Sequence, residues 1–388
     1  MTDTDTSTGT DDAPPPFRIG MLGPSGVGKT SLVVSVLTDS ERLLGSSGVR
    51  LREADKETRN VLRASRSALN GGVLAESFES RLAGGSEARY LQLELRAGRD
   101  GEAIGFSLLD FPGGWMAEPD HMTEPEHQQW KECLDFLTDC NVLLVPVDAT
   151  VLMEAVQTAH LQSVTHVLET MVVQDIVLDW AQRRADLTDQ PALIVFAPVK
   201  CESYFADNGG RKNRAVRLLE RVRTVYGPLI ELIRLNAPHA KVLYCPVDTL
   251  GCVELVRTEW HPTRAGSAVL APVSHFGIRR PTRISIVGAD DLLSAVCRML
   301  MQSRSSYTAQ VADRHDGARE QAEENLKSYR RGWFRALRHW ANGDTRVARL
   351  AAAGHQAEAE RLRLQIARLD DAVRSLATRE LGKRSRWL

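Results

Sequence analysis

Short apolar runs alternate with longer stretches of helical period along this chain. Phe17 to Leu22 (FRIGML), Val142 to Val147 (VLLVPV), Ala192 to Val199 (ALIVFAPV) and Lys241 to Val247 (KVLYCPV) read as buried strands. Helical patterns cover Lys29 to Leu37 and about 51–68, 124–139, 152–185, 211–234 and 289–303. Tyr90 to Leu95 and Ala103 to Leu109 are two further strands. Gly98, Arg99, Asp100 and Gly101 lie between them, so they read as a β-hairpin. Near-continuous apolar strands separated by helices predict an α/β fold with a mainly parallel sheet. The hairpin is expected to supply one antiparallel edge strand. The polar, Ser- and Gly-rich stretch 40–88 carries no clear strand signal, and the final 85 residues read as helix throughout.

Composition narrows the picture. A 43% hydrophobic and 26% charged chain of 388 residues is globular in type, which excludes collagen, wholesale disorder and a small disulfide scaffold. The net charge of −1 hides a division into three. Residues 1–15 carry four aspartates and no cation, and read as a disordered acidic leader. Residues 305–388 carry 17 Lys/Arg against 11 Asp/Glu, so the helical end is basic. The expected domains are the leader at 1–15, an α/β domain at 16–303 and a basic helical segment at 304–388. Six cysteines without a CxxC pair disfavour structural zinc and disulfides, and fit a reducing cytoplasm. No apolar run reaches the ~18 residues of a membrane span, and the leader lacks the apolar core of a signal peptide.

The chemistry concentrates after the first strand. Gly23-Pro24-Ser25-Gly26-Val27-Gly28-Lys29-Thr30 matches GxxxxGK[ST] between a strand and a helix. Glycines let backbone N–H groups wrap a phosphate, and the helix that starts here turns its positive end to the same anion. Gly23, Ser25, Gly26, Val27, Gly28, Lys29, Thr30 and Ser31 are therefore the expected phosphate-binding residues, with Lys29 reaching the β- and γ-phosphates and Thr30 offering its hydroxyl to Mg²⁺. The strand FSLLD ends in Asp110, placed to hold Mg²⁺ through water, and Phe111-Pro112-Gly113 follows. Gly113 would present a bare backbone N–H to a γ-phosphate.

GPSGVGKT, a hairpin and then DFPG resemble the Ras-like, translation-factor-related (TRAFAC-type) P-loop GTPases over about residues 16–303. Within them the layout is most similar to bacterial GTPases of multi-gene conflict systems, including the double-GTPase proteins. The resemblance implies a three-layer P-loop sandwich that binds GTP or GDP with Mg²⁺. Phe111 stands where many P-loop ATPases have a catalytic Glu, which places ATP second. The family reads guanine with NKxD. Here Val199-Lys200-Cys201-Glu202 has the Lys and a longer acid but no Asn, leaving GTP and looser or adenine specificity both open. Pro246-Val247-Asp248-Thr249 sits where the family's last base-contacting loop lies, and Asp248 is taken as its base-side residue.

The family's first switch supplies a Thr to the metal. None occurs from Gly71 to Ser86, so Ser77 is the expected ligand, with Ser80 and Ser86 as alternatives. Gly114 replaces the water-orienting Gln of the Ras type, so intrinsic hydrolysis is expected to be slow unless a partner or a cis arginine such as Arg81 completes the site. Trp115 and Met116 suit either a cover on the nucleotide or core packing. His121 and His127 lack companion ligands and read as surface histidines.

In the helical end, Ala348, Ala352, His355, Ala359, Leu362, Ile366, Leu369, Val373 and Leu376 alternate spacings of four and three. That heptad seam suits self-association, a partner helix or folding back on the main domain. Tyr329 to Trp340 and Lys383 to Leu388 mix arginines with tryptophans, a pattern suited to an anionic lipid, nucleic acid or acidic protein, or to aromatics packed on the main domain. The leading expectation is a GTPase switch or assembly regulator with protein effectors, catalysis resting on Lys29, Thr30, Asp110 and Gly113. A non-hydrolysing nucleotide-bound scaffold and an ATP-using P-loop enzyme are the alternatives.

Overall fold

The computed structural model describes residues 17–74, 87–98, 103–117, 122–210, 213–280, 282–322 and 356–388. Its first half runs β1 (Phe17–Met21), α1 (Lys29–Leu44), β2 (Val49–Glu53), α2 (Lys56–Leu74), β3 (Arg89–Ala97), β4 (Ala103–Asp110), α3 (Gly114–Ala117) and α4 (Glu124–Thr138). There follow β5 (Val142–Asp148), α5 (Ala149–Glu154), α6 (Thr158–Val167), α7 (Thr170–Ala185), β6 (Leu193–Val199), α8 (Ala215–Asn236) and β7 (Lys241–Tyr244). The chain closes with β8 (Val253–Pro262), β9 (Leu270–Ile278), α9 (Ala289–Ala322), α10 (Gln356–Thr378) and β10 (Arg386–Trp387).

Eight strands make one sheet in the order β10-β7-β6-β5-β1-β4-β3-β2. The core of that sheet, β7-β6-β5-β1-β4, is parallel. Because strand side chains alternate, each central strand feeds two layers. Val142, Leu144, Leu193 and Val195 pack on one face with α1, α9 and α10. Leu143, Val145, Ile194 and Phe196 pack on the other with α4, α7 and α8. The result is a mixed α/β molecule with helices on both sides of a mostly parallel sheet.

Four expectations change. The β3–β4 hairpin is present, but β3 is internal, because β2 pairs with it antiparallel from Val49↔Ala97 to Glu53↔Leu93. The alternation Val49-Arg-Leu51 that marks β2 is only five residues long and sits among polar residues, which hid it. A separate antiparallel pair, β8 with β9, also went unread; its turn signal is the segment around Gly266. The helical pattern at 152–185 is three helices, interrupted after Glu154 and again at Glu169, whose φ of 49° is left-handed.

A further change concerns the helical end. The expected boundary between 303 and 304 falls inside α9, and the chain does not read as helix to its end. Ile366, Leu369, Val373 and Leu376 of the heptad seam are buried, and the last three join the core layer beside α1 and α9. Their seam thus packs within the chain rather than forming a free coiled coil, the third of its readings. β10 then adds antiparallel to β7, pairing Arg386↔Tyr244 and Trp387↔Leu243. Arg298 of α9 lies over the Trp387 ring at 5.5 Å, and the tryptophan stays partly exposed. The acidic leader, His121, His355, Tyr329 to Trp340, and Ser77, Ser80, Arg81 and Ser86 lie outside the described residues. Among the described residues, no helix is long and apolar enough to cross a membrane.

Candidate functional site

The parallel strands deliver their C-terminal ends to one rim, where β1, β4, β5, β6 and β7 all hand over to loops. An open sheet of this kind places its crevice there. A cavity of about 590 Å³ occupies the rim, lined by Ser25 to Ser31, Asp110 to Gly113, Lys200, Glu202, Thr249 and Leu250. Segments separated by more than two hundred positions in sequence meet there because parallel topology puts every βα turn on the same side.

The first of these loops makes a nest. Gly26 (φ 72°) and Gly28 (φ 114°) adopt left-handed conformations that L side chains rarely take, and α1 begins directly at Lys29. Backbone N–H groups and the start of a sixteen-residue helix therefore converge on the cleft. Lys29 is only 8% exposed. Its Nζ donates to the Gly23 carbonyl at 2.8 Å and the Pro24 carbonyl at 3.3 Å. Burial drags its pKa down to about 8, against the opposing pull of the Asp110 carboxylate. A cation so desolvated gains from any anion that enters the cleft.

Thr30 and Asp110, eighty residues apart, touch: Thr30 Oγ1 donates to Asp110 Oδ2 at 3.1 Å. Burial raises the Asp110 pKa, and Lys29 and the Thr30 hydrogen bond act against that shift. Gly113 follows so closely on the first loop that a Cβ there would stand 2.1 Å from Ser25 N. The DFPG turn is thus pressed on the glycine-bent loop after β1, backbone to backbone. Gly114 opens α3 with free space around it and offers no side chain to the cleft. Trp115 and Met116 are buried, and Trp115 and Phe111 lie against Trp130 at 6.3 and 5.2 Å between ring centroids. Core packing, not a cover on the cleft, is their role here. His127 is exposed, as expected of a surface histidine.

The third loop is braced onto the first. Lys200 takes a left-handed φ of 55°, and its Nζ donates to the Gly26 carbonyl at 2.8 Å and to Asp148 Oδ2 at 2.6 Å. Asp148 also caps α5, accepting from Thr150 N at 2.9 Å. Its local sequence signal is that of an N-cap, a strand-ending Asp two residues before Thr150. Glu202 lines the cleft yet is 4% exposed. Its Oε1 accepts from Thr249 N at 3.1 Å and Leu250 N at 3.3 Å, joining the third loop to the one after β7. Burial, with the neighbouring Asp248 carboxylate second, pushes its pKa up to about 7.

Two assigned residues sit elsewhere than expected. Asp248 does not face the cleft. It is fully buried behind it, with Arg384, Asn208 and Cys201 as partners. Of that loop, Thr249 lines the cavity, together with Leu250 after it. Gly23 contributes its carbonyl to Lys29 rather than a cleft wall. Conversely, the far wall comes from residues not foreseen: Asn60, Val61 and Ala64 of α2, and Phe276 of β9. Arg89, which pairs opposite Asp110 in the β3–β4 register, also lines the cleft.

The described residues contain no cluster of three or more His, Cys, Asp or Glu fit to hold a metal. Magnesium does not need one, since one or two protein oxygens and substrate phosphates suffice. The Thr30 hydroxyl and Asp110 carboxylate are such hard oxygen donors, side by side next to the phosphate-type loop, so they fit the ion. Compared with known protein families and with curated proteins, the sequence matches none of them.

Proposed function

We propose that the chain is a Mg²⁺-dependent nucleoside triphosphate-binding protein of the Ras-like P-loop GTPase type, hydrolysing GTP slowly and acting as a switch or assembly regulator. The observation that carries the reading is the convergence of Lys29, Thr30, Asp110 and the Gly113 backbone on one glycine-bent nest at a helix start. Thr30 and Asp110 would hold Mg²⁺, which when bound neutralises developing charge on the phosphates. Lys29 would leave the Gly23 and Pro24 carbonyls for the β- and γ-phosphates. Gly113 N–H would sense the γ-phosphate, so that the DFPG turn answers to its presence or loss. Gly114 supports slow turnover, since no side chain there can orient the attacking water. Phosphate release from GTP tests this. Slow Mg²⁺-dependent release is expected, abolished by chelation and by Asp110→Asn. Release indifferent to both would contradict it.

Glu202 supports guanine over adenine. Reading guanine would take both carboxylate oxygens, so its N1–H and N2–H₂ donors would displace the Thr249 and Leu250 N–H groups that Oε1 now holds, whereas adenine offers one donor on that edge. Only the ionised form can accept both guanine donors. With its pKa raised towards neutrality, GTP affinity is expected to climb as pH rises into the neutral range, and to fall again above about 8 as Lys29 loses its proton. The free protein should move oppositely. Because the folded pKa lies above the ordinary carboxylate value, stability declines as pH rises from about 4.5 towards 7. Glu202→Gln should remove the rise of GTP binding into the neutral range. A rise that survives this substitution would place the titrating group elsewhere.

A further inference from the structure

The last seven residues reach back beneath the nucleoside end of the cleft. Gly382 N donates to Asp291 Oδ1 at 2.9 Å on one side of Arg384, and Leu388 N donates to the Val242 carbonyl at 2.9 Å on the other. With β10 bound to β7 between these anchors, the backbone fixes where Arg384 points. Its Nη1 donates to Asp248 Oδ2 at 2.8 Å, and its Nε to Asp207 Oδ2 at 2.9 Å. Nη2 donates to Asp207 Oδ1, which makes that contact bidentate. The guanidinium lies 4.0 Å above the Phe205 ring centroid. Arg384 is 6% exposed and Asp248 is 0% exposed, so this ion pair is buried.

Each partner belongs to a loop that forms the cleft. Asp207 and Phe205 follow Glu202, and Asp248 precedes Thr249 and Leu250. Glu202 and Asp248 are two buried carboxylates whose charges oppose each other. Arg384 is the cation paired with the second of them, while Asn208 Nδ2 donates to the same Asp248 oxygen at 2.9 Å. Arg279 holds the outer side, donating to the Asn208 carbonyl at 2.8 Å and to the Gly251 carbonyl. Without Arg384 a fully buried carboxylate would stand uncompensated under both loops, a large cost for the arrangement.

We propose that Arg384 is a positioning residue for nucleoside recognition: acting through Asp248 and Asp207, it sets the Lys200–Asn208 and Asp248–Gly251 loops around the base while leaving the phosphate nest untouched. The proposal rests on the nucleotide reading above. It also makes the β10 strand a part of the site's support.

Calorimetry of wild type, Arg384→Gln and Arg384→Lys with GTP and with inorganic tripolyphosphate, each with Mg²⁺, tests it. Arg384→Gln is expected to weaken GTP by roughly tenfold or more, as for truncation of a buried charge pair. Tripolyphosphate, which lacks a base, should change by less than about twofold. Arg384→Lys keeps the charge but loses the planar fork, so it should fall between. Unchanged GTP affinity in Arg384→Gln, or equal weakening of both ligands, would overturn the proposal. Should Arg384→Gln fail to fold, Arg384→Lys decides: a loss confined to GTP supports positioning, and full GTP affinity overturns it. Wild type that binds neither ligand would sink the nucleotide reading itself, an outcome distinct from all of these.

Discussion

Lys29→Ala is expected to weaken binding of any nucleoside triphosphate by about 3 kcal/mol or more, roughly 150-fold. The ammonium is buried at the mouth of the nest, where an anion taken up by the loop would meet it. Its loss would leave phosphate charge facing bare backbone. The same substitution should not harm the free protein. Burial holds the Lys29 pKa down at about 8, so the folded state binds fewer protons than the unfolded state between that value and the ordinary 10.5. Stability of wild type should therefore rise with pH through that window, and Lys29→Ala should lack the rise. Thermal melts at pH 7.5 and 9.5 separate the two effects. A variant that melts early and binds normally would reverse the assignment.

Gly113→Ala is the second large effect. A Cβ would stand 2.1 Å from Ser25 N and 2.3 Å from the Pro24 carbonyl carbon, both backbone atoms with no rotamer to yield. Either the DFPG turn or the phosphate-type loop must move. A clash of this kind costs about 2 kcal/mol or more, which predicts roughly 30-fold weaker triphosphate binding and a lowered melting temperature. Gly114→Ala, one residue on, meets nothing within 4 Å and should bind as wild type. The contrast between neighbours is the useful readout. Equal behaviour of the two variants would mean that the contact with Ser25 carries no function.

What was legible in the sequence follows from how local the signals are. GPSGVGKT and DFPG are contiguous, and each sits at the end of an apolar strand, so their positions needed no tertiary information. The parallel strands were legible because burial on both faces makes them apolar without interruption. The short β2 and the two-residue β10 were not, since their pairing depends on β3 and β7 rather than on their own residues. The same limit explains Asp248. Its strand-end position resembled a base-reading residue, but its side chain is turned inward by Arg384, 136 residues away. Val253 and Phe276, on strands β8 and β9, likewise reach the cleft only through the fold. The heptad seam was visible as a pattern, yet periodicity alone could not choose between a partner helix and the chain's own core.

We propose the glycine-bent nest with Lys29, Thr30 and Asp110 as a triphosphate site with a guanine preference. Calorimetric titration of the wild-type chain with GTP and with ATP analogues, in Mg²⁺ at pH 8 and beside Lys29→Ala, measures it directly. Saturable GTP binding that outcompetes ATP and disappears in Lys29→Ala is the predicted result. ATP binding without GTP binding would contradict the guanine assignment, and no binding of either would contradict the site.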